Sequence, residues 1–464
     1  MADTAGRKRI IGWMMFDWAT QPFYTLILTF VFGPYFASVA TGFFVAEGLT
    51  EHVADSRAQS LWSLGQTATG MLIAFTAPVL GALADSAGRR MPWIVGFSVV
   101  YVLGTWGLWW TLPDGSTLWW ALLAFGLGMI GAEYTTIFTN ALLPSLGRDG
   151  AIGRISGSGA ALGYAGGVVS LFVMLLIFAE NESGTTLIGL TPPLWLDPEA
   201  REGTRAVGPF AAIWYVVFMI PFFMWVRDER WPAKRASMAR ALSDLRQSLS
   251  SIVRRRSLAA YLASSMFYRD ALAALYGFGG VYATLVLDWT ITMVGVFGII
   301  GAICAGVFTW IGGRADGRYG PKPVILFNVW VLTAVCTVIV SMTRESIFGV
   351  PLSPGSNVPD IVFYVLGAAI GAAGGALQAA SRTMMVRHAT PDRPTEAFGL
   401  YALSGKATAF LAPALIGLVT WVSESARFGI APVILLFILA LYLLRWVDPK
   451  GDRAVPWSEA SSPA

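Results

Sequence analysis

Charge is what this chain has least of. Asp, Glu, Lys and Arg make up 13% of its 464 residues, against roughly 25% in an ordinary soluble domain. A water-soluble fold with 55% hydrophobic residues and a mean hydropathy of +0.62 would expose apolar surface that it could not cover. Cysteine is almost missing too. Cys304 and Cys336 lie in apolar stretches without CxxC spacing, which excludes a disulfide framework or a cysteine-built metal site. Only two histidines occur, His52 and His388, and both read as loop residues. With no HExxH, no grouped metal ligands and no nucleophile paired with a base, a membrane-embedded enzyme has no chemistry to work with. The GxxxxGK[ST] phosphate loop of a primary pump is absent as well. No catalytic residue, metal or cofactor is expected. The net charge of +4 is too small to suggest a nucleic-acid partner.

Apolar runs of bilayer length are what the chain has instead. They fall near residues 10–39, 61–84, 92–112, 117–143, 155–179 and 209–226, then 258–286, 290–313, 323–343, 359–386, 397–422 and 429–447. Segments this long are helices, not barrel strands, because only a helix satisfies its own backbone inside lipid. Arg7-Lys8-Arg9 before the first run imitates a signal peptide, but the run is too long and contains Asp17. The expected fold class is all-α integral membrane, with twelve transmembrane helices in two six-helix repeats. The first half occupies 1–226, a linker 227–257, the second half 258–447 and a tail 448–464.

Basic residues set the orientation. With the N-terminus inside, 24 Lys and Arg residues fall on the inner side and five on the outer: Arg57, Arg201, Arg205, Arg344 and Arg427. Both termini are then cytoplasmic. In the linker, Met238, Leu242, Leu245, Leu249 and Ile252 repeat at spacings of four and three among arginines. That pattern suits an amphipathic helix lying on an anionic lipid surface. The outer loop 180–208 carries no functional signal.

Two loops on the inner side look alike. Gly81-Ala-Leu-Ala-Asp85-Ser-Ala-Gly88-Arg89-Arg90 follows the second run, and Gly312-Gly-Arg-Ala-Asp316-Gly-Arg-Tyr-Gly320-Pro321-Lys322 follows the eighth. Asp85 and Asp316 lie 231 residues apart, half the chain, which is the signature of a parallel repeat. Glycines here permit close approach and tight turns. Asp85 can sit at a neighbouring helix N-terminus while Arg89 and Arg90 engage carboxylates or lipid phosphates. In the second copy the distance from Asp316 to Gly320 is one residue longer than from Asp85 to Gly88.

The first loop resembles the loop motif of the major facilitator superfamily. Four stretches narrow the resemblance. They are Phe16-Asp17-Trp18-Ala19 with Tyr24 to Phe30; Thr139 to Pro144 with Arg154 to Gly157 and Gly163 to Gly167; Tyr268-Arg269-Asp270 with Phe278 to Tyr282; and Gln378 to Arg382 with Phe398 to Tyr401 and Ser404-Gly405-Lys406. Together they look like the vacuolar amino-acid effluxer family, also called the unknown major facilitator family. The resemblance implies a major facilitator fold and, from the fungal members, export of amino acids. Gln21 stands where that family more often has asparagine.

An ionised side chain inside lipid costs a few kcal/mol and needs a reason. Asp17, Gln21 and Tyr24 share one face of the first helix. Glu133 and Asn140 lie seven apart on the fourth, Arg269 and Asp270 sit together in the seventh, Gln378 and Arg382 are four apart on the tenth, and Lys406 is on the eleventh. Three acids balance three bases, which suggests pairing across the bundle. Adjacent residues on a helix point about 100° apart, so Asp270 is expected to pair with Arg382 or Lys406 and not with Arg269. Asp17 has no base near it in its own helix and is the expected carrier of a coupled proton. The run Gly159-x-x-x-Gly163-Tyr164-Ala-Gly166-Gly167 resembles the superfamily's antiporter motif with tyrosine in place of its proline, which adds Tyr164 to the candidates.

The expected function is secondary transport of a small solute by alternating access of two helical halves, with amino acids as the candidate cargo, protons as a candidate co-substrate, and a monomer in a bacterial cytoplasmic membrane as the setting. A transporter-like sensor or scaffold without flux and a facilitative uniporter are the competing readings. The topology makes the first prediction. Cysteines placed at Ser183 and Ser237 should react with impermeant maleimide from opposite faces of the membrane. Labelling of both from one face would overturn the twelve-helix arrangement.

Overall fold

A computed structural model describes residues 6–147, 149–181, 184–193, 196–227, 255–390 and 393–451. The expected amphipathic linker helix and the end of the tail lie outside the described residues. The helices, in chain order, are α1 Arg7–Ala46, α2 Glu51–Ala87, α3 Met91–Trp110, α4 Leu118–Asn140, α5 Asp149–Val173, α6 Val207–Trp225, α7 Arg256–Leu287, α8 Ile291–Tyr319, α9 Pro321–Ser341, α10 Val358–His388, α11 Pro394–Ser423 and α12 Ala431–Leu444. Among the described residues, eleven helices are long and apolar enough to cross a membrane. The 32-residue α7, with Arg269 and Asp270 in its middle, is not one of the eleven.

Local sequence explains the boundaries. Proline occupies the first turn of α3, α9, α10, α11 and α12, where its missing N–H costs nothing and its fixed φ suits a helix start. Gly88 ends α2 at φ 68° and Gly320 ends α8 at φ 87°, a backbone region open to glycine. Several helices outrun their apolar runs. α2 begins at Glu51, and its first turns carry His52, Asp55, Arg57 and Gln59; these polar turns project beyond the apolar layer. α10 likewise continues to His388.

Both histidines are therefore helical, which corrects their reading as loop residues. His52 is in the first turn of α2. His388 is fully buried, with Nε2 2.8 Å from Ser257 Oγ, Nδ1 3.0 Å from the Met384 carbonyl, and its ring stacked on Tyr261.

α1 to α6 form one half and α7 to α12 the other. α1 packs on α5 and α6, α3 on α4, α7 on α12, and α10 on α8 and α9. The halves meet chiefly along α2 with α11 and α5 with α8, which are symmetry-equivalent pairs in a six-plus-six repeat. Both seams are made of backbone. A methyl added at Gly313 would lie 2.7 Å from the Cα of Gly157, and one at Gly81 2.7 Å from the Thr395 carbonyl oxygen.

The two ends of the bundle differ. At the end carrying Arg9, Asp85, Asp316 and Lys322, helices of opposite halves touch. At the far end, Phe32–Ala46 of α1 packs on elements of the first half and Leu411–Ser423 of α11 on elements of the second. Contact between the halves is thus densest toward the basic end, with Phe30 of α1 beside Gly298 of α8 nearer the other.

The described residues of the 180–208 loop fold back on their own half. Buried Glu180 accepts from Arg201 Nε, the Thr204 N–H and Thr204 Oγ, each at 3.0 Å. Arg205 donates to the Trp109 carbonyl at 2.9 Å and lies over the Trp109 ring. In the second half the α9–α10 connection is a hairpin, β1 Ser346–Ile347 and β2 Val350–Pro351.

Candidate translocation site

Arg382 is the centre of the site. It projects from α10 into the first half and finds partners on three of its helices. Nη1 meets Asp17 of α1 at 3.0 and 3.2 Å and Asn140 Oδ1 of α4 at 3.5 Å. Nη2 donates to the Ser156 carbonyl of α5 at 2.7 Å, and Nε to Ser156 Oγ at 3.2 Å. The guanidinium also lies 5.5 Å from the Trp13 ring centroid, and Trp13 is held by its indole N–H on the Thr139 carbonyl at 2.8 Å. Fixing the planar fork of arginine on several acceptors suits it better than lysine.

The glycine run of α5 makes room for this layer. A methyl at Gly159 would lie 2.8 Å from Asp17 Oδ2 and 2.9 Å from the Trp13 ring, and one at Gly167 would meet Thr25 and Gln21. The run that resembles an antiporter motif is thus the bed for the polar face of α1. Tyr164, between those glycines, turns the other way, toward Gly306 of α8, Gly375 of α10 and Tyr276 of α7.

A second ion pair crosses the halves at a different depth. Lys406 Nζ of α11 meets Glu133 Oε1 of α4 at 3.1 Å. Glu133 lies two helical turns from Asn140 along α4, so this pair is about 10 Å further from the basic end. Tyr24 of α1 lies by Thr136 of α4, one turn from Glu133. Gln378 is exposed on a stretch of α10 whose flanking residues are buried, one turn above Arg382.

The expected pairing of Asp270 is corrected. Arg382 belongs to Asp17 and Lys406 to Glu133. Asp270 faces a break in α11 at Thr408–Phe410, where its Oδ2 accepts the Ala412 N–H at 2.9 Å. Arg269, turned about a quarter of the way round α7, donates to the Tyr401 carbonyl at 2.8 Å and covers the Tyr401 ring at 4.2 Å. The reason is rotational: one residue's difference on α7 aims the arginine and the aspartate at opposite sides of the break. Asp17, with no base near it in its own helix, is paired across the bundle with Arg382 and is the more firmly held acid.

Charge is segregated as a result. The first half presents the acids Asp17 and Glu133 to the interface, and the second half presents the bases Arg382 and Lys406.

The loop motif also joins the halves. Asp85 Oδ2 accepts the Glu396 N–H, in the first turn of α11, at 2.8 Å, and Oδ1 lies 3.3 Å from Arg90 Nη2. Arg90 Nε donates to Thr395 Oγ at 2.9 Å. A carboxylate at a helix N-terminus meets free N–H groups and the positive end of the dipole. Arg89 is exposed. In the second copy, buried Asp316 faces the start of α5, where a methyl at Gly153 would lie 2.6 Å from its carboxyl carbon. The extra residue before Gly320 does not remove Asp316 from the equivalent place, but Lys322 turns to cap the end of α12 through the Val447 carbonyl at 2.7 Å.

Four contributors were not singled out beforehand. Ser156 and Tyr401 lay inside family-like stretches, unremarked because their contacts use backbone carbonyls. Thr395 and Glu396 lay outside any recognised pattern.

Two halves, in densest contact at one end, with ion pairs across a polar interface inside an apolar bundle define a transporter of the major facilitator superfamily, and not an enzyme. Solved structures agree on the fold. The proton:xylose symporter XylE superposes with a TM-score of 0.70 over 98% of this chain and 97% of that one, at 14% identity. The human organic anion transporter MFSD10 gives 0.67 over 94% and 99%, at 16% identity. The family model described as vacuole effluxer Atg22 like matches residues 5–454, and the chain belongs to that family. An uncharacterized MFS-type transporter, YxiO of Bacillus subtilis, is 22% identical over 98% of both chains. Autophagy-related protein 22-2 of Neosartorya fischeri is 24% identical over 65% of this chain, which spans only 50% of that relative's length.

Asp85→Asn keeps the shape of the loop and removes its charge. A charge-assisted bond exceeds a neutral one by about 1 kcal/mol, so the closed basic end should lose roughly fivefold in relative population. A cysteine at buried Ala77, whose carbonyl abuts Gly399 across the seam, should then react severalfold faster with maleimide. Unchanged reactivity would reduce Asp85 to a topology anchor.

Proposed function

We propose that the chain is a secondary active transporter that exports amino acids through alternating access of its two halves. The observation that carries this reading is the segregation of charge: acids on one half and bases on the other, meeting across the cleft as Asp17–Arg382 and Glu133–Lys406. A solute that enters such a cleft and keeps both halves satisfied must carry both signs. An amino acid does, with its ammonium toward Asp17 or Glu133 and its carboxylate toward Arg382 or Lys406. Asn140, Gln21, Gln378, Tyr24 and Tyr164 supply neutral hydrogen-bonding groups around these charges, and Arg269 sits one helix behind.

In this reading α7 is the twelfth spanning helix and both termini are cytoplasmic, so the closed basic end faces the cytoplasm of a bacterium whose inner membrane holds the protein. Asp85 and Asp316, seated at the starts of α11 and α5, hold that end shut. Opening it moves α11 off α2 and α8 off α5, which parts the ion pairs; water and solute entering the cleft then replace the lost partners. One chain supplies both walls of the cleft, so a monomer suffices. A proton gradient provides the drive.

The test is flux. Purified protein in proteoliposomes is expected to exchange one or more of the twenty amino acids, with sugars and dicarboxylates as controls. Stranding one member of a buried pair costs about 3–5 kcal/mol, so Arg382→Gln should cut transport by ~100-fold or more. The charge-reversed pair Asp17→Arg with Arg382→Asp should recover part of it. No flux across the whole panel would leave the sensor or scaffold reading. Flux that never accumulates solute against a gradient would make the chain a uniporter.

A further inference from the structure

Asp270 is the one intramembrane acid of the site that meets no base. It is 3% exposed. Its Oδ2 takes the Ala412 N–H, while its Oδ1 is buried with no partner among the described residues. The charged groups on every element packed against α7 are engaged elsewhere. On α7 itself Arg269 turns to Tyr401. On α10, Asp360 pairs with Arg344, Arg382 with Asp17, Arg387 with the Pro449 carbonyl, and His388 bonds to Ser257 and Met384. On α11, Glu396 lies by Arg393 and Lys406 by Glu133. Arg427 covers Phe428. Asp316 of α8 faces α5, Arg314 covers Trp310 and Arg318 lies over Tyr319. α12 from Ala431 to Leu444 has no charged residue.

An ionised carboxylate with one N–H for company is a poor occupant of a low-dielectric interior. A neutral acid is a good one: its carbonyl oxygen keeps the Ala412 N–H and its hydroxyl carries the proton. The place also has leverage. α11 is in two pieces with different neighbours, the first packing across the interface as well as on α7 and α10 of its own half. Pro394–Ala407 packs on α2 and α4 and ends in Lys406, whose ammonium reaches Glu133; Leu411–Ser423 packs within the second half. The break between them leaves the Ala412 N–H outside the helical ladder, and Thr408 Oγ in that break is likewise buried without a partner among the described residues. Discontinuous helices of this kind place ion-responsive groups where two rigid bodies meet.

We propose that Asp270 is the carboxyl that takes up and gives off the coupled proton, and that it acts through the break in α11. This rests on the transport reading and assigns the coupling to an acid outside the Asp17–Arg382 layer. With the site dry, the proton sits on Oδ1. When water reaches the break, the O–H bond is cut and the proton leaves to that water. The resulting carboxylate attracts the N-terminus of Leu411–Ser423 more strongly, and the pull on the break is felt at Lys406, two residues before Thr408, and so at its bond to Glu133.

Two measurements test it. Infrared spectra of the purified protein in nanodiscs at neutral pH should contain the C=O stretch of a protonated carboxylic acid that is lost in Asp270→Asn; identical spectra would overturn the proposal whatever the protein transports. With radiolabelled leucine in proteoliposomes, Asp270→Asn should lose accumulation driven by a pH gradient while equilibrium exchange falls by less than about tenfold. Accumulation at the wild-type level would overturn the proposal and leave the transport reading standing. If wild-type protein moves no leucine, the infrared result alone decides. If Asp270→Asn does not fold, Asp270→Glu, with its carboxyl one methylene further out, should shift the C=O band, and an unshifted band would overturn the assignment.

Discussion

A guanidinium cannot be neutralised inside a membrane protein, and the architecture of this chain can be read as the means of housing one. Arg382 needs acceptors on several sides, and the second half cannot supply them. It takes them from α1, α4 and α5 of the opposite half. That demand brings α10 against α5, requires glycine at 159 so that Asp17 and Trp13 fit beneath it, and fixes the distance between the halves at the level of the cleft. Glu133 and Lys406 repeat the solution further along the bundle axis. Because every partner lies across the interface, these pairs tie the two halves together.

The seams beside these pairs have a different character. Gly157 against Gly313, and Gly81 and Gly399 against the backbones of α11 and α2, put main chain on main chain with few interlocking side chains. Van der Waals contact between small residues is how helices associate where lipid removes the hydrophobic incentive. Such a seam is close but shallow. The directional contacts are instead concentrated at its end, where Asp85 takes the Glu396 N–H in the first turn of α11 and Arg90 reaches Thr395, while Asp316 lies against Gly153 near the start of α5.

Much of this was legible beforehand because membrane folds obey coarse rules. Apolar runs depend on the bilayer alone, and they located most helix ends to within a few residues, the larger misses being the end of α1, the start of α2, the start of α5 and the end of α8. The repeat was visible in Asp85 and Asp316, which prove to occupy equivalent places despite unequal loops. Partner choice was not legible. Asp17, Glu133, Asp270, Arg269, Arg382 and Lys406 could all be recognised as charges out of place, but which acid meets which base depends on helix rotation, and a turn of one residue on α7 separates Arg269 from Asp270. The break in α11 has its signal in Pro413, which cannot donate to the Ala409 carbonyl and crowds it; what stayed hidden was that the Asp270 carboxyl takes the Ala412 N–H there.

The segregation of charge has a consequence for how the chain is made. Asp17 enters the membrane 365 residues before Arg382, which at translation rates of 5–20 residues per second is roughly 20–70 s. An acid can pass that interval in lipid as a neutral group. An arginine cannot. With Asp17 and Glu133 in the half synthesised first, Arg382 and Lys406 emerge from the insertion machinery to find their anions already in place. The opposite order would strand cations in lipid for the better part of a minute on every molecule made.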